Sequence, residues 1–255
     1  MLTGLDHLVI LVEELEDAVA GYEELGFTVT SGGEHADGLT RNALVPFADG
    51  TYLEIVAFVD STDERDNVWG WRPFSEAGGG LIDYCVASSD LAADVRRLEE
   101  AGFYVDGPDA GGRRLPDGTE IGWKSARVQQ DGRVLPFLIE DKTPRALRVP
   151  GGPATRHPNG ARGISRLSIS TREVARTRHT LAALSGVQDE TYGNTTFRIG
   201  SHELAVVAPG GSDDPMKHRL ETLGAGPFAV ELRAAAGRGG DLDTELSCGA
   251  RLKTI

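Results

Sequence analysis

His7, Glu54, Asp83 and Glu140 are ionisable side chains set in otherwise apolar, strand-like runs. Glu54 is the sharpest case, with Leu53, Ile55, Val56, Ala57 and Phe58 around it. A charge in such a run is costly unless it faces solvent, pairs with an arginine or holds a metal ion. Strand alternation puts Leu8 and Ile10 on one face, and Leu5, His7, Val9 and Leu11 on the other. The same reading sets Asp83 opposite Tyr84 and Val86, at the position of His7. It makes Glu140, after Phe137-Leu138-Ile139, the counterpart of Glu54. If two sheet faces pack together, all four donors point into one cleft. One imidazole with three carboxylates is an oxygen-rich set, which suits Mg²⁺, Mn²⁺ or Fe²⁺.

A second group of candidates would contact substrate. His35 follows Gly32-Gly33 in a predicted loop, Ser31 to Gly38, and loops on a rigid scaffold often carry function. It is a fourth metal ligand, an acid/base or a solvated histidine. Arg41 and Asn42 lie nearby as polar contacts, and Trp123 would line the cleft wall or pack in the core.

The elements that position these residues repeat along the chain. Gly4-Leu5-Asp6-His7, Gly80-Leu81-Ile82-Asp83 and Gly163-Ile164-Ser165-Arg166 each open a strand. Each strand leads to a helix that stops at Gly26-Phe27, Gly102-Phe103 or Gly186-Val187. Weaker strands follow, so the unit is β-α-β-β-β. In the first unit the pattern predicts strands over Leu5–Val12, Phe27–Thr30, Arg41–Phe47 and Thr51–Val59. In the second it predicts Leu81–Ala87, a helix capped by Ser89, a short strand from Phe103, a loop over Asp106–Gly118, then Glu120–Val128 and Val134–Ile139. The expected class is α+β, with curved mixed or antiparallel sheets forming a cleft. Residues 1–145 hold two paired modules (1–60 and 78–142), 146–162 a proline-bearing linker, and 163–255 a third module with a degenerate fourth. In the third module Arg166 stands at the histidine position, and the ungapped register turns Glu203 to the other face, so no metal site is expected there.

Gly4-Leu5-Asp6-His7-Leu8-Val9, Leu25-Gly26-Phe27 and Tyr52-Leu53-Glu54 resemble the vicinal oxygen chelate superfamily, which includes glyoxalases, extradiol dioxygenases, epimerases and bleomycin-resistance proteins. Gly32-Gly33-Glu34-His35, Thr40-Arg41-Asn42, Leu135-Pro136-Phe137 and His157-Pro158-Asn159-Gly160 are similar to its glyoxalase-like branch. The resemblance implies a divalent ion held by His7, Glu54, Asp83 and Glu140, with Mg²⁺, Mn²⁺, Fe²⁺, Ni²⁺ and Zn²⁺ all open. Asp83 stands where many members have a second histidine. Glu54 or Glu140 would double as proton-transfer base. The implied function is a metal-dependent lyase, isomerase or dioxygenase acting on a small oxygen-rich molecule. The alternative is a metal-free protein that binds a small molecule or drug in the same cleft.

The whole chain sets outer bounds. It has 255 residues and a net charge of −13, which disfavours nucleic acid and anionic membrane as partners. No run approaches the ~20 apolar residues of a bilayer span, and no signal-peptide pattern opens the chain, so a cytoplasmic location is expected. A homodimer remains open as an assembly.

Overall fold

Alternating apolar residues dictate the first strand, β1 (Leu2–Leu11), and an apolar stripe dictates the first helix, α1 (Leu15–Glu24). A computed structural model describes residues 1–115, 118–130, 132–186, 195–211 and 214–255. The first module continues with β2 (Thr30–Glu34), β3 (Thr40–Pro46) and β4 (Tyr52–Phe58). A short helix α2 (Arg72–Glu76) leads to the second module: β5 (Gly80–Ser88), α3 (Leu91–Glu100), β6 (Val105–Arg114), β7 (Glu120–Val128) and β8 (Phe137–Asp141). The helix α4 (Arg145–Arg148) and a 3₁₀ turn (Gly152–Thr155) interrupt the linker. The C-terminal half holds β9 (Ala161–Ser170), α5 (Val174–Ser185), β10 (Thr196–Ile199), β11 (His202–Val207), α6 (Pro215–Thr222), β12 (Gly226–Ala234), β13 (Gly240–Asp241) and β14 (Arg251–Thr254). Among the described residues no helix is long and apolar enough to cross a membrane.

The first two modules form one eight-stranded sheet in the order β2-β3-β4-β1-β5-β8-β7-β6. Within each module the first strand runs parallel to the last, and β1 meets β5 antiparallel at the centre. The edge strands then come round to each other at a bridge between His35 and Arg113. The sheet therefore curls around an interior. The helix side carries the main core, including Leu8, Ile10, Tyr22, Tyr84 and Leu98, and this core continues into Leu167 and Leu204 of the C-terminal half. The inside carries a second cluster with Val9, Leu11, Trp71, Cys85, Phe137 and Ile139. The second sheet, β10-β11-β9-β12-β14-β13, repeats the pattern in shortened form.

Several expected boundaries move. Gly32-Gly33 belongs to β2 rather than to a loop, and that strand starts at Thr30 rather than Phe27. The stretch read as a loop over Asp106–Gly118 is mostly β6, because β7 pairs with it from Val105 to Arg114 and a bulge between Asp106 and Asp109 absorbs Gly107-Pro108. Asp90, not Ser89, caps α3 by accepting from the Ala93 N–H at 3.0 Å. The last strand of module two begins at Phe137, after Pro136, rather than at Val134. Gly186 ends α5 in the left-handed conformation, while Val187 lies outside the described residues. Leu5 packs with Leu8 on the helix side instead of with His7. Glu203 lies directly across from Arg166 and pairs with it at 2.8 Å, so it shares that residue's face.

Candidate functional site

His7 and Glu54 come from neighbouring parallel strands, with His7 opposite Tyr52 and Val9 opposite Glu54. Both side chains point inward, and His7 Nε2 lies 3.3 Å from Glu54 Oε2. The Tyr52 ring stacks on the imidazole at 4.6 Å, and Phe137 closes it edge-on at 5.3 Å. The other ring nitrogen, Nδ1, lies 2.7 Å from Asp6 Oδ1. An ionised carboxylate only accepts, so Nδ1 donates to Asp6, and Nε2 donates to Glu54 when the ring is protonated.

Asp6 is fully buried and its charge is matched by arginines. Arg148 donates to both oxygens, Nη1 to Oδ1 and Nη2 to Oδ2, each at 2.9 Å, and Arg145 also donates to Oδ2. Arg148 further donates to the Tyr52 hydroxyl at 2.9 Å and to Asp141 at 2.6 Å. Burial pushes the Asp6 carboxyl up, but Arg148 and His7 outweigh it and hold the group well below the usual range. For His7, burial opposes the charge; the hydrogen bonds to Asp6 and Glu54 prevail and raise its pKa.

The far side of Glu54 is held by the first module alone. His35 Nε2 lies 3.4 Å from Glu54 Oε1, and Asn42 Nδ2 donates to the same oxygen. Thr40 Oγ1 orients His35 through Nδ1 at 2.7 Å. Burial raises the Glu54 pKa, but the hydrogen bonds to His35 and His7 hold it well below its usual value, so Glu54 is a carboxylate. Glycine is required at position 32, since a Cβ there would meet the Asn42 side chain and sit 3.1 Å from Arg113 Nη1.

Two adjacent spaces border this group. A small chamber of about 40 Å³ is lined by His7, Glu54, Tyr52, Arg113, Arg148 and the aromatic wall of Trp69, Trp71, Trp123 and Phe137. A vestibule of about 580 Å³ lies outside it, and His35, Trp69 and Trp123 line both. The chamber has room for an ion or a water and one small reacting group. The rest of a substrate would occupy the vestibule.

The structure brings together His7, Glu54, His35, Asn42 and Trp123. It does not bring Asp83, Glu140 or Arg41. The residue across from His7 is Cys85, while Asp83 lies opposite Val9. Asp83 accepts from the Trp71 indole at 3.0 Å and from the Tyr84 N–H at 2.9 Å, with Arg133 at 3.4 Å. Burial raises its pKa. In module two, Phe137 and Ile139 hold the places of Tyr52 and Glu54, because Cys85 pairs with Phe137 as His7 pairs with Tyr52. Alternation then turns Glu140 to the helix side, where it caps the Leu91 N–H at 2.8 Å and pairs with Lys142. Arg41 points outward and pairs with Glu16 at 2.8 Å. The sequence reading missed Asp6, Tyr52, Arg113 and Arg148. One signal was present, since Asp6 in an apolar strand also demands a cation.

Among the described residues, the one group of three whose donor atoms all lie within 4.8 Å is Asp6, His7 and Cys85. By proximity it qualifies as a metal site. Its chemistry is less suited, since two arginines already neutralise Asp6 and burial keeps the Cys85 thiol protonated. The donor chemistry of His7 Nε2, Glu54 and His35 Nε2 suits a divalent ion better, though these three donors do not all lie within 4.8 Å of one another and would have to draw together around it. Two imidazoles flank the two oxygens of one carboxylate, and Asp6 on Nδ1 supplies the outer partner that ligating histidines usually have.

Known proteins bear on this arrangement. A hypothetical protein from Staphylococcus aureus superposes with a TM-score of 0.77 at 14% identity, covering 100% of this chain and 99% of that one. A xylose isomerase-like TIM barrel/4-hydroxyphenylpyruvate dioxygenase fusion protein gives a TM-score of 0.52 at 17% identity, covering 93% of this chain and 37% of that one. Methylmalonyl-CoA epimerase from Mycobacterium tuberculosis gives 0.42 at 25% identity over 57% of this chain and 92% of that one. No curated protein matches the sequence. The first two likenesses concern the fold. The family model of the glyoxalase-like domain matches residues 5–185, a span that contains both βαβββ modules and the whole His7–Glu54 chamber, and the chain belongs to that family.

Proposed function

We propose that the chain is a metal-dependent glyoxalase-like enzyme that acts on a small oxygen-rich molecule, with His7, Glu54 and His35 holding the ion. The observation that supports this most is the buried Glu54 carboxylate gripped on both oxygens by two histidines at the inner end of a vestibule. A bound divalent ion supplies Lewis acidity at two adjacent substrate oxygens. Glu54, ionised at neutral pH, takes the proton from the carbon beside those oxygens. His35 lines both spaces, and Thr40 on its Nδ1 fixes the ring so that Nε2 faces Glu54. Asp6 and Arg148 fix the His7 ring. Lyase and isomerase reactions share these requirements, and a dioxygenase reaction shares the holding of two adjacent substrate oxygens.

The test is metal analysis of purified protein, after supplementation, beside His7→Ala, Glu54→Ala and His35→Ala. About one ion per chain in the wild type, lost in each variant, supports the reading. Equal, near-zero content throughout sinks it. The second reading, a metal-free binding protein, is favoured by the aromatic wall that stands where a second module would offer ligands.

A further inference from the structure

We infer that Arg113 receives an anionic oxygen of the substrate, so that the compound entering the chamber carries a carboxylate next to its reactive carbon. The inference rests on reading the His7–Glu54 chamber as the reactive centre. Arg113 sits on β6, is 8% exposed and lines the chamber together with His7 and Glu54. Its partners are neutral. Nη2 donates to the Arg148 carbonyl at 2.8 Å and Nη1 to Asn42 Oδ1 at 3.5 Å. Nε is buried without a partner. No carboxylate among the described residues pairs with this guanidinium, in contrast to Arg148, which has Asp6 and Asp141. Glu54 acts on it only through space, with Asn42 between them, and a buried guanidinium with no directly paired carboxylate is unfavourable unless a ligand supplies one.

The local charge balance points the same way. Asp83 and Glu140 lie outside the chamber, so it is not the acidic pocket that four clustered donors would have made. Glu54 is occupied by His7, His35 and Asn42, and Asp6 by two arginines. Arg113 is the cation of the chamber that has no directly paired carboxylate among the described residues. Its planar fork matches a carboxylate, which presents two oxygens in one plane. Gly32 keeps the space beside Nη1 open. The bridge from His35 fixes the strand that carries Arg113.

All three tryptophans of the chain line this chamber, so their fluorescence reports its occupancy. The probes are lactate and its uncharged isostere lactamide, which keeps the two adjacent oxygens. Each is titrated into metal-stripped and Mn²⁺-loaded protein. We expect saturable lactate binding at least about tenfold tighter than lactamide binding, the scale of one charge-assisted hydrogen-bonded contact. Arg113→Gln should erase the preference and Arg113→Lys should retain part of it. Equal affinities in the wild type, absence of saturable lactate binding, or a preference that survives Arg113→Gln would overturn the inference. The wild-type comparison needs no variant to fold. A lactate preference in protein that takes up no ion would retire the metal reading and keep Arg113. Ion uptake without a preference would do the reverse.

Discussion

Asp6 and His7 are consecutive residues of one strand, yet their side chains meet, with Asp6 Oδ1 2.7 Å from His7 Nδ1. Regular strands send neighbours to opposite faces. Here the register between β1 and β5 shifts, so that the step from Leu5 to His7 faces the single step from Val86 to Cys85. Asp6 is the extra residue of that bulge. The irregularity re-aims a carboxylate at an imidazole, a use of bulges common beside functional sites.

Removing that carboxylate should lower the His7 pKa, since the hydrogen bond to Asp6 helps to raise it. NMR titration of the histidine ring protons in Asp6→Asn checks the direction. An unchanged His7 titration would mean that Asp6 does not orient or charge the ring.

Arg148→Met should cost about 3 kcal/mol of unfolding free energy, because Asp6 and Asp141 lose a buried partner. Arg145 still covers Asp6, which keeps the loss at the lower end of the range for broken buried pairs. Denaturant unfolding gives the number, and a loss under about 1 kcal/mol would contradict the buried network.

The stability of metal-stripped protein should peak at about pH 5 to 6.5. Asp6 and Glu54 sit below their usual values of 3.8 and 4.5, so their contribution is complete above those values and fades as the pH falls through the folded ones. His7 sits above its usual 6.5, so its contribution is complete below 6.5 and fades as the pH rises through the folded value. Thermal melts across pH test this. Glu54→Gln should shrink the acid limb, and an identical limb in that variant would remove Glu54 from the account.

Gly32→Ala should displace Asn42 from Glu54, because the new methyl group meets the Asn42 amide and Arg113 Nη1. A cost of about 1–3 kcal/mol is expected for this overpacking. Tryptophan emission should change with it, and wild-type stability and emission together would show that the strand yields without strain.

Arg41→Ala and Glu140→Gln should leave ion content and lactate binding unchanged. Arg41 meets Glu16 at the surface, where water screens the pair. Glu140 serves the start of α3. Loss of the ion in Glu140→Gln would restore it to the centre.

The residues alone determined a good deal of this protein. The period-2 and helical patterns, with Gly26, Gly102 and Gly186 as stops, carried the repeated unit. Two ionisable residues in apolar strands, His7 and Glu54, pointed to the chamber that both line, because local periodicity decides which way a regular strand's side chains point. Tertiary structure decided the rest. Strand register is a pairing property, and a one-residue offset in β8 exchanged Ile139 for Glu140 at the cleft. A bulge turned Asp6 toward His7, and pairing with β7 made a strand of a glycine-rich segment and so delivered Arg113. Arg148 reaches Asp6 across 142 positions of sequence, a contact made possible by the sheet order, which sets β8 and the helix after it two strands from β1.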